Sequence, residues 1–213
     1  LVARAIAEHR PNTTFMVPSH LQRLFALGPS LPPLDGFRLV AHAGAACPEP
    51  LKREAIDRFG ANTLWEFYGS TEGQFTACSA TEWMDRPGTV GRARPGRHLE
   101  VDVDGTIWCD VPPWARWEYW RDRERTAQAW RSPALADSYG AFTVKDLGRL
   151  DTDGYLYLDG RRDDLIITGG VNVYPAEIES VLSDAPGVDQ VAVFGLDDPD
   201  WGQRVCAAIV GAV

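Results

Sequence analysis

The chain has 213 residues, 45% of them hydrophobic and 24% charged, and a formal net charge of −9. The acidic balance argues against nucleic acid as a partner, because that ligand calls for a basic face. The hydrophobic share is that of a protein that buries a real core. No apolar run approaches membrane-spanning length and no signal-like leader is present. Cys47, Cys78, Cys109 and Cys206 lie far apart without CxxC spacing. They read as buried thiols in a reducing, cytoplasmic compartment, not as a zinc site or a disulfide frame.

In chain order, residues 1–10 carry Val2, Ala5 and Ile6 at helical spacing, and Pro11 stops that helix. Residues 13–17 predict a short buried strand. Ser19 is placed to cap a helix over 20–27 that ends at Gly28. Residues 39–43 predict a second strand, running into the small-residue turn Gly44-Ala45-Ala46. Pro48 opens a helix to Phe59, and residues 63–67 form a third strand that leads into Tyr68-Gly69-Ser70-Thr71-Glu72-Gly73. Strands alternating with helices suggest βαβ connections and a partly parallel sheet, with ligands at the carboxyl ends of the strands.

From Trp83 the texture changes to short strands and turns without helical period. The expectation over 83–158 is a small antiparallel β-barrel or distorted sheet, with one short helix at 122–130. Asp153-Gly154 opens a hairpin into the alternating run Tyr155–Leu158. The dense charged joint Arg161-Arg162-Asp163-Asp164 reads as a boundary between two units. An apolar run at 165–167, the pair Gly169-Gly170, a helix over 175–183 and strands at 190–196 and 204–213 follow. The predicted fold is α/β plus β. Residues 1–82 form a partial parallel α/β portion, 83–162 a barrel-like portion of the same domain, and 163–213 a truncated α+β carboxy-terminal domain.

Several stretches suggest chemistry. YGSTEG offers backbone N–H and hydroxyl donors to a phosphate, plus a carboxylate for its magnesium. Taken alone it reads more readily as a capped turn of solvated polar residues. Gly44-Ala45-Ala46 lets a flat base lie against backbone, or simply packs a turn on a helix. Asp146 is an acceptor suited to a ribose diol, or a solvated turn acid. Arg161 adds a cation, or belongs to a charged surface run, and Gly169-Gly170 is a tight turn with or without a function. An acid, an arginine and a glycine loop within about thirty residues suit a nucleotide better than a core.

The order of these stretches carries more than any one of them. YGSTE, then YWRDRERT (residues 119–126), then DLGRLDTDGYLYLDGRRDDLIITGGVNVYPAEIE (residues 146–179) resembles the adenylate-forming superfamily of acyl-CoA synthetases, adenylation domains and luciferase. The resemblance covers nearly the whole chain, including VPSHLQRL and WGQRV. It is strongest to stand-alone acyl-CoA synthetases through LIITGGVNVYPAEIE.

The resemblance implies an acid–thiol ligase that uses ATP, Mg²⁺ and CoA to turn a carboxylic acid into an acyl-adenylate and then a thioester. It implies Tyr68 stacked on adenine opposite Gly44, Ala45 and Ala46, with Gly69 in the same nucleotide-binding turn. Thr71 would bind the α-phosphate, Glu72 the Mg²⁺, and Asp146 the ribose with Arg161 beside it. Asp163 matches the hinge of the small domain, and Gly169 and Gly170 line the thiol's path. Part of the acyl pocket, around residues 17–24, Ala43 and residues 73–76, is mostly small or apolar, with His20 and Gln74 as exceptions, which leans towards a lipophilic acid.

The chain departs from the pattern at Val144-Lys145-Asp146, where the family has Thr-Gly-Asp; a lysine replaces the turn glycine. The family's phosphate loop would lie before Leu1 and its catalytic lysine beyond Val213. The expectation is therefore a fragment, inactive alone, that associates with itself through uncovered strand edges. A carrier-loading or adenylate-only domain, or a non-catalytic split member, stands as the alternative.

Overall fold

A computed structural model of the chain describes residues 1–135 and 137–211. The fold is mixed α/β with several sheets. The chain forms two compact units. The first comprises Leu1–Leu99, Cys109–Phe142 and Leu150–Tyr157, and the second Glu100–Trp108, Thr143–Arg149 and Leu158–Val213.

The first unit opens with α1 (Val2–His9), β1 (Thr13–Met16), α2 (Pro18–Phe25), β2 (Leu39–His42), α3 (Glu49–Phe59) and β3 (Leu64–Gly69). β1, β2 and β3 pair in parallel, Thr14 with Val40 and Val40 with Leu64. The sequence reading holds here for the order of strands and helices, but β1, expected to be buried, is not: of its residues only Met16 is buried, and Phe15 is exposed. Leu21, Leu24 and Phe25 of α2 and Ala55, Ile56 and Phe59 of α3 pack with Met16, Val40 and Leu64 into one core. Truncating a fully buried leucine such as Leu21 or Leu64 would cost about 2–5 kcal/mol. The entry to α2 differs from expectation: Val17 is the N-cap and Pro18 takes the first helical position, so Ser19 lies inside the helix.

Beyond β3 the sheet turns antiparallel through β4 (Gln74–Ser79). A short helix follows, α4 (Ala80–Asp85), which the sequence reading missed although its signal was present. Ser79 Oγ accepts the Glu82 N–H, and the Glu82 carboxylate accepts the Ser79 N–H at 2.9 Å, a capping box. Next come β5 (Thr89–Ala93), β6 (His98–Val101), β7 (Ile107–Val111), α5 (Arg123–Ala129), β8 (Trp130–Arg131) and β9 (Gly140–Phe142). After these lie β10 (Asp146–Leu150) and β11 (Tyr155–Arg161), whose residues Tyr155 and Tyr157 pair with β5.

The expected barrel does not close among the described residues. β5 and β11 extend the large sheet, in the order β1-β2-β3-β4-β5-β11-β10, while β6, β7, β9 and β8 form a separate open sheet. Closure needs strands long enough to tilt and stagger around a ring. β8 has two residues and β9 three, and a 3₁₀ turn at Pro113–Ala115 follows β7.

In the second unit, the segment entering β7 folds into a turn closed by the Asp102 N–H to Thr106 O bond, and Gly105 O accepts from Gly148 N–H. β12 (Ile166–Thr168), β13 (Val171–Val173), α6 (Pro175–Ser183), β14 (Val188–Asp198) and β15 (Gly202–Gly211) complete it. These strands form a sheet of order β13-β12-β15-β14, and α6 spans the residues expected of it. Glu179 on α6 ties the helix to this sheet by accepting the Val193 N–H at 2.8 Å.

The most consequential polar group in the first unit is Lys52 on α3. Its side chain is 1% exposed, and Nζ lies 2.7 Å from Glu66 Oε2 on β3 and 2.8 Å from His42 Nε2 on β2. Because the ammonium donates to Nε2, the His42 ring proton sits on Nδ1, 3.9 Å from Glu66 Oε1. Burial, then the Lys52 charge, lowers the His42 pKa from 6.5 to about 3. Burial raises the Glu66 carboxyl, opposed by Lys52.

Removing one partner of a buried pair strands the other. Lys52→Met should therefore destabilise the chain by about 3–5 kcal/mol in urea unfolding, and adding Glu66→Gln should restore most of it. Unchanged stability of the single variant would show that the pair contributes nothing. His42 takes up a proton on unfolding that its folded ring refuses, so its contribution is fully present above pH 6.5 and is lost as pH falls toward 3. His42→Gln keeps an acceptor for Lys52 without a titrating ring. It should flatten the stability-versus-pH slope between those values by up to about 1.4 kcal/mol per pH unit. Parallel slopes for the two proteins would remove His42 from the acid response.

Candidate functional site

The first unit carries its candidate residues on two loops that leave the carboxyl ends of neighbouring parallel strands. β2 ends at His42 and continues into Gly44-Ala45-Ala46, all exposed. Gly44 has φ +90°, a conformation a side chain would strain. β3 ends at Tyr68-Gly69 and enters the turn that leads to β4. Ser70 N–H donates to Gly73 O at 2.8 Å and closes that turn, which leaves Thr71 exposed at its tip. Tyr68 is buried, its ring 5.0 Å from that of Phe75.

Glu72 is the only acid in this turn, and it is held. Tyr119 Oη donates to Glu72 Oε1 at 2.7 Å, and the Glu72 N–H donates to Ser70 Oγ at 3.2 Å. Partial burial pushes the Glu72 carboxyl up. The Tyr119 and Ser70 hydroxyls, its own backbone N–H and the Arg125 charge outweigh this and hold it below the usual carboxylate range. An ionised carboxylate on a turn with phosphate-sized donors suits Mg²⁺, which takes one or two carboxylates and completes its shell with water and phosphate oxygens. No group of three or more His, Cys, Asp or Glu side chains among the described residues forms a cage of its own. Glu72 therefore fits a cation that arrives with its phosphate ligands.

The second unit gathers the remaining candidates, except for the two glycines, around the start of β10 and the end of β11. Arg161 Nε lies 3.2 Å from Asp146 Oδ1, an ion pair without hydrogen-bond alignment, with Asp146 buried and Arg161 exposed. Lys145 adopts φ +65°, the left-handed conformation for which glycine is suited, so the backbone keeps the turn and the side chain bears the strain. Its ammonium reaches Asp163 Oδ1 at 3.7 Å, and its carbonyl accepts from the Arg162 N–H. Gly169 and Gly170 form the turn between β12 and β13. A Cβ on Gly169 would come within 2.7 Å of the Trp201 ring, and its N–H donates to Trp201 O.

Tyr119 and the Lys52 group have no role in the sequence reading. Tyr119 was legible only as part of YWRDRERT, because its partner lies 47 positions away. Lys52 lies on the helix that Pro48 opens, and nothing local in the sequence marks it as buried. The four cysteines are free thiols: Cys78 and Cys109 are buried as expected, whereas Cys47 and Cys206 are only partly so. Burial raises the Cys47 thiol to about 12, so partial exposure does not make it a nucleophile. No helix among the described residues is long and apolar enough to cross a membrane.

Comparison with known proteins bears directly on these loops. A family model described as AMP-binding enzyme matches residues 1–112, and one described as AMP-binding enzyme C-terminal domain matches residues 177–212. The chain is 34% identical to the indoleacetate–CoA ligase of Aromatoleum aromaticum, across 97% of the chain and 41% of that protein. It is 50% identical to the long-chain-fatty-acid–CoA ligase FadD13 of Mycobacterium tuberculosis, across 82% of the chain and 35% of that protein. Among solved structures, the amide bond synthetase McbA of Marinactinospora thermotolerans matches with a TM-score of 0.83 at 34% identity, covering 100% of this chain and 45% of that one. The o-succinylbenzoate CoA synthetase MenE of Bacillus subtilis, in complex with its acyl-adenylate intermediate, matches with a TM-score of 0.82 at 28% identity, covering 100% and 44%. The chain spans about two fifths of the length of the indoleacetate–CoA ligase. With more than half of its residues matched by the first of those models, the chain belongs to the AMP-binding enzyme family.

Proposed function

We propose that the whole protein is an AMP-forming acid–thiol ligase. A carboxylate oxygen attacks the α-phosphorus of ATP, the bond to the β-phosphate breaks, and pyrophosphate leaves. The thiol sulfur of CoA then attacks the acyl carbonyl, and AMP leaves. The observation that carries this reading is the pair of loops at the carboxyl ends of β2 and β3. One is stripped to small residues and the other bears hydroxyls and an ionised acid. Relatives named as CoA ligases align across most of the chain. The amide bond synthetase is a structural match as well, so a nitrogen acceptor is the second reading.

In this reading Gly44, Ala45, Ala46, Tyr68 and Gly69 flank the adenine, and Thr71 donates to the α-phosphate. Glu72 holds Mg²⁺, which supplies charge neutralisation on the phosphate oxygens. Asp146 accepts from the ribose hydroxyls with Arg161 beside it. Asp163 serves as the hinge where the carboxy-terminal domain, residues 163–213, begins, and Gly169 and Gly170 line the thiol's path. Positioning and preorganised charge are what such a site contributes to phosphoryl-group chemistry. The acid remains of the lipophilic class, although Leu21 and Leu24 belong to the core.

Two measurements on the full-length protein test the reading. Asp146→Ala should raise the ATP KM about tenfold or more, since each hydrogen bond involving a charged acceptor contributes about 1.5–3 kcal/mol. A thermal midpoint measured alongside separates loss of folding from loss of binding; parental kinetics would make Asp146 an ordinary turn acid. In a panel of carboxylic acids, pyrophosphate release should occur without CoA, and thioester should form only when CoA is added. Adenylate formation with no thioester, or with amide formed from an added amine, would replace CoA as the acceptor.

A further inference from the structure

The motif YWRDRERT marks the family, yet none of its residues has a role in the reading above. We propose that Tyr119 is a positioning residue that fixes the Glu72 carboxylate and leaves one of its oxygens to reach a nucleotide-bound magnesium ion. The inference rests on the reading of Glu72 as the magnesium residue.

Glu72 sits on a turn, where a glutamate alone samples many rotamers. Here the 2.7 Å bond from Tyr119 Oη selects one of them. Tyr119 is itself held on several sides. Its N–H donates to Thr126 Oγ1 at 2.9 Å, and that hydroxyl donates in turn to Asp122 O at 2.7 Å. Asp122 Oδ1 accepts the Arg125 N–H at 2.9 Å and so anchors the start of α5. The Arg125 guanidinium lies 4.0 Å from the Tyr119 ring centroid, a cation–π contact. The ring also meets Trp117 edge-on, with centroids 4.9 Å apart and an interplanar angle of 72°. Every polar residue of this arrangement comes from the motif, which turns a family signature into a support for one hydroxyl.

The bond also sets how the carboxylate can bind. Oε1 already accepts a strong hydrogen bond that uses one of its lone pairs, which favours a cation at Oε2. Ligation through that one oxygen suits the small octahedral shell of Mg²⁺ better than the larger shell of Ca²⁺. Hydrogen-bond partners of metal ligands of this kind typically govern about 10–100-fold in metal affinity.

The test uses the full-length protein and reads ATP binding by calorimetry across a magnesium series, alongside AMP binding in chelator and the thermal midpoint. Tyr119→Phe should raise the magnesium midpoint about tenfold while AMP binding and thermal stability stay at parental values. Thr126→Val loosens Tyr119 without removing its hydroxyl and should move the midpoint the same way by a smaller factor. Glu72→Gln separates the layers of the argument. If it shifts the midpoint and Tyr119→Phe stays within about twofold of the parent, the inference is overturned and the reading of Glu72 stands. A midpoint unmoved by Glu72→Gln removes the magnesium role, and the inference with it. Loss of AMP binding together with magnesium response in Tyr119→Phe would mean that the tyrosine supports the fold and not the carboxylate.

Discussion

One buried ammonium ties together the part of the molecule that presents the two candidate loops. Lys52 reaches from α3 to two parallel strands and touches His42 at the end of one and Glu66 within the other. A charge taken this far from water persists only where its attraction and hydrogen bonds offset desolvation. The geometry meets that condition through a carboxylate at 2.7 Å and a neutral imidazole acceptor at 2.8 Å. The Trp83 ring adds a cation–π face 5.5 Å from Nζ. His42 lies two residues before Gly44 and Glu66 two before Tyr68, so the network sets strand spacing next to both loops. A hydrophobic triad of equal volume would fill the space but would not specify which oxygen meets which nitrogen.

The same region is closed by a second, apolar circuit. Tyr68 packs on Phe75, Phe75 on Phe142, Phe142 on Trp117 and Trp117 on Tyr119, with centroids 4.9–5.3 Å apart. Tyr119 then returns to Glu72, four residues from where the path began. The turn after β3 is thus gripped at both ends by one chain of rings drawn from four separate stretches of sequence. Gly73 fits this circuit because a Cβ there would come within 2.9 Å of the Phe142 ring. Aromatic pairs at these separations each contribute about 0.5–1.5 kcal/mol beyond the area they bury.

What was legible in the sequence follows from the range of the signals. α3 and α6 could be read because helix starts, stops and apolar stripes are local. β1, β2 and β3 were legible as short strand-type runs between helices, and the turn residues Gly44–Ala46 and Ser70–Gly73 stood out by composition. The barrel expectation failed because local alternation says that a strand exists but not which sheet recruits it. β5 and β11 alternate like barrel strands, yet β5 pairs with the edge that β4 provides and β11 pairs with β5. The roles of Lys52 and Tyr119 were hidden for the same reason, since each acquires its meaning from a residue on another strand or turn. The lysine at position 145 was noticed as a departure, but only the backbone angle shows that the chain retained the turn and changed the residue.

That lysine has a consequence for how the turn can vary. A left-handed residue just ahead of Asp146 admits glycine without strain and asparagine with little, while β-branched residues and proline are excluded by their own backbone geometry. Asparagine lies one nucleotide change away from either lysine codon, and glycine lies two away. A mutational library at this codon would therefore pass first through a residue that relaxes the backbone and surrenders the contact with Asp163. Backbone comfort and a charge beside the joint are exchanged at a single position.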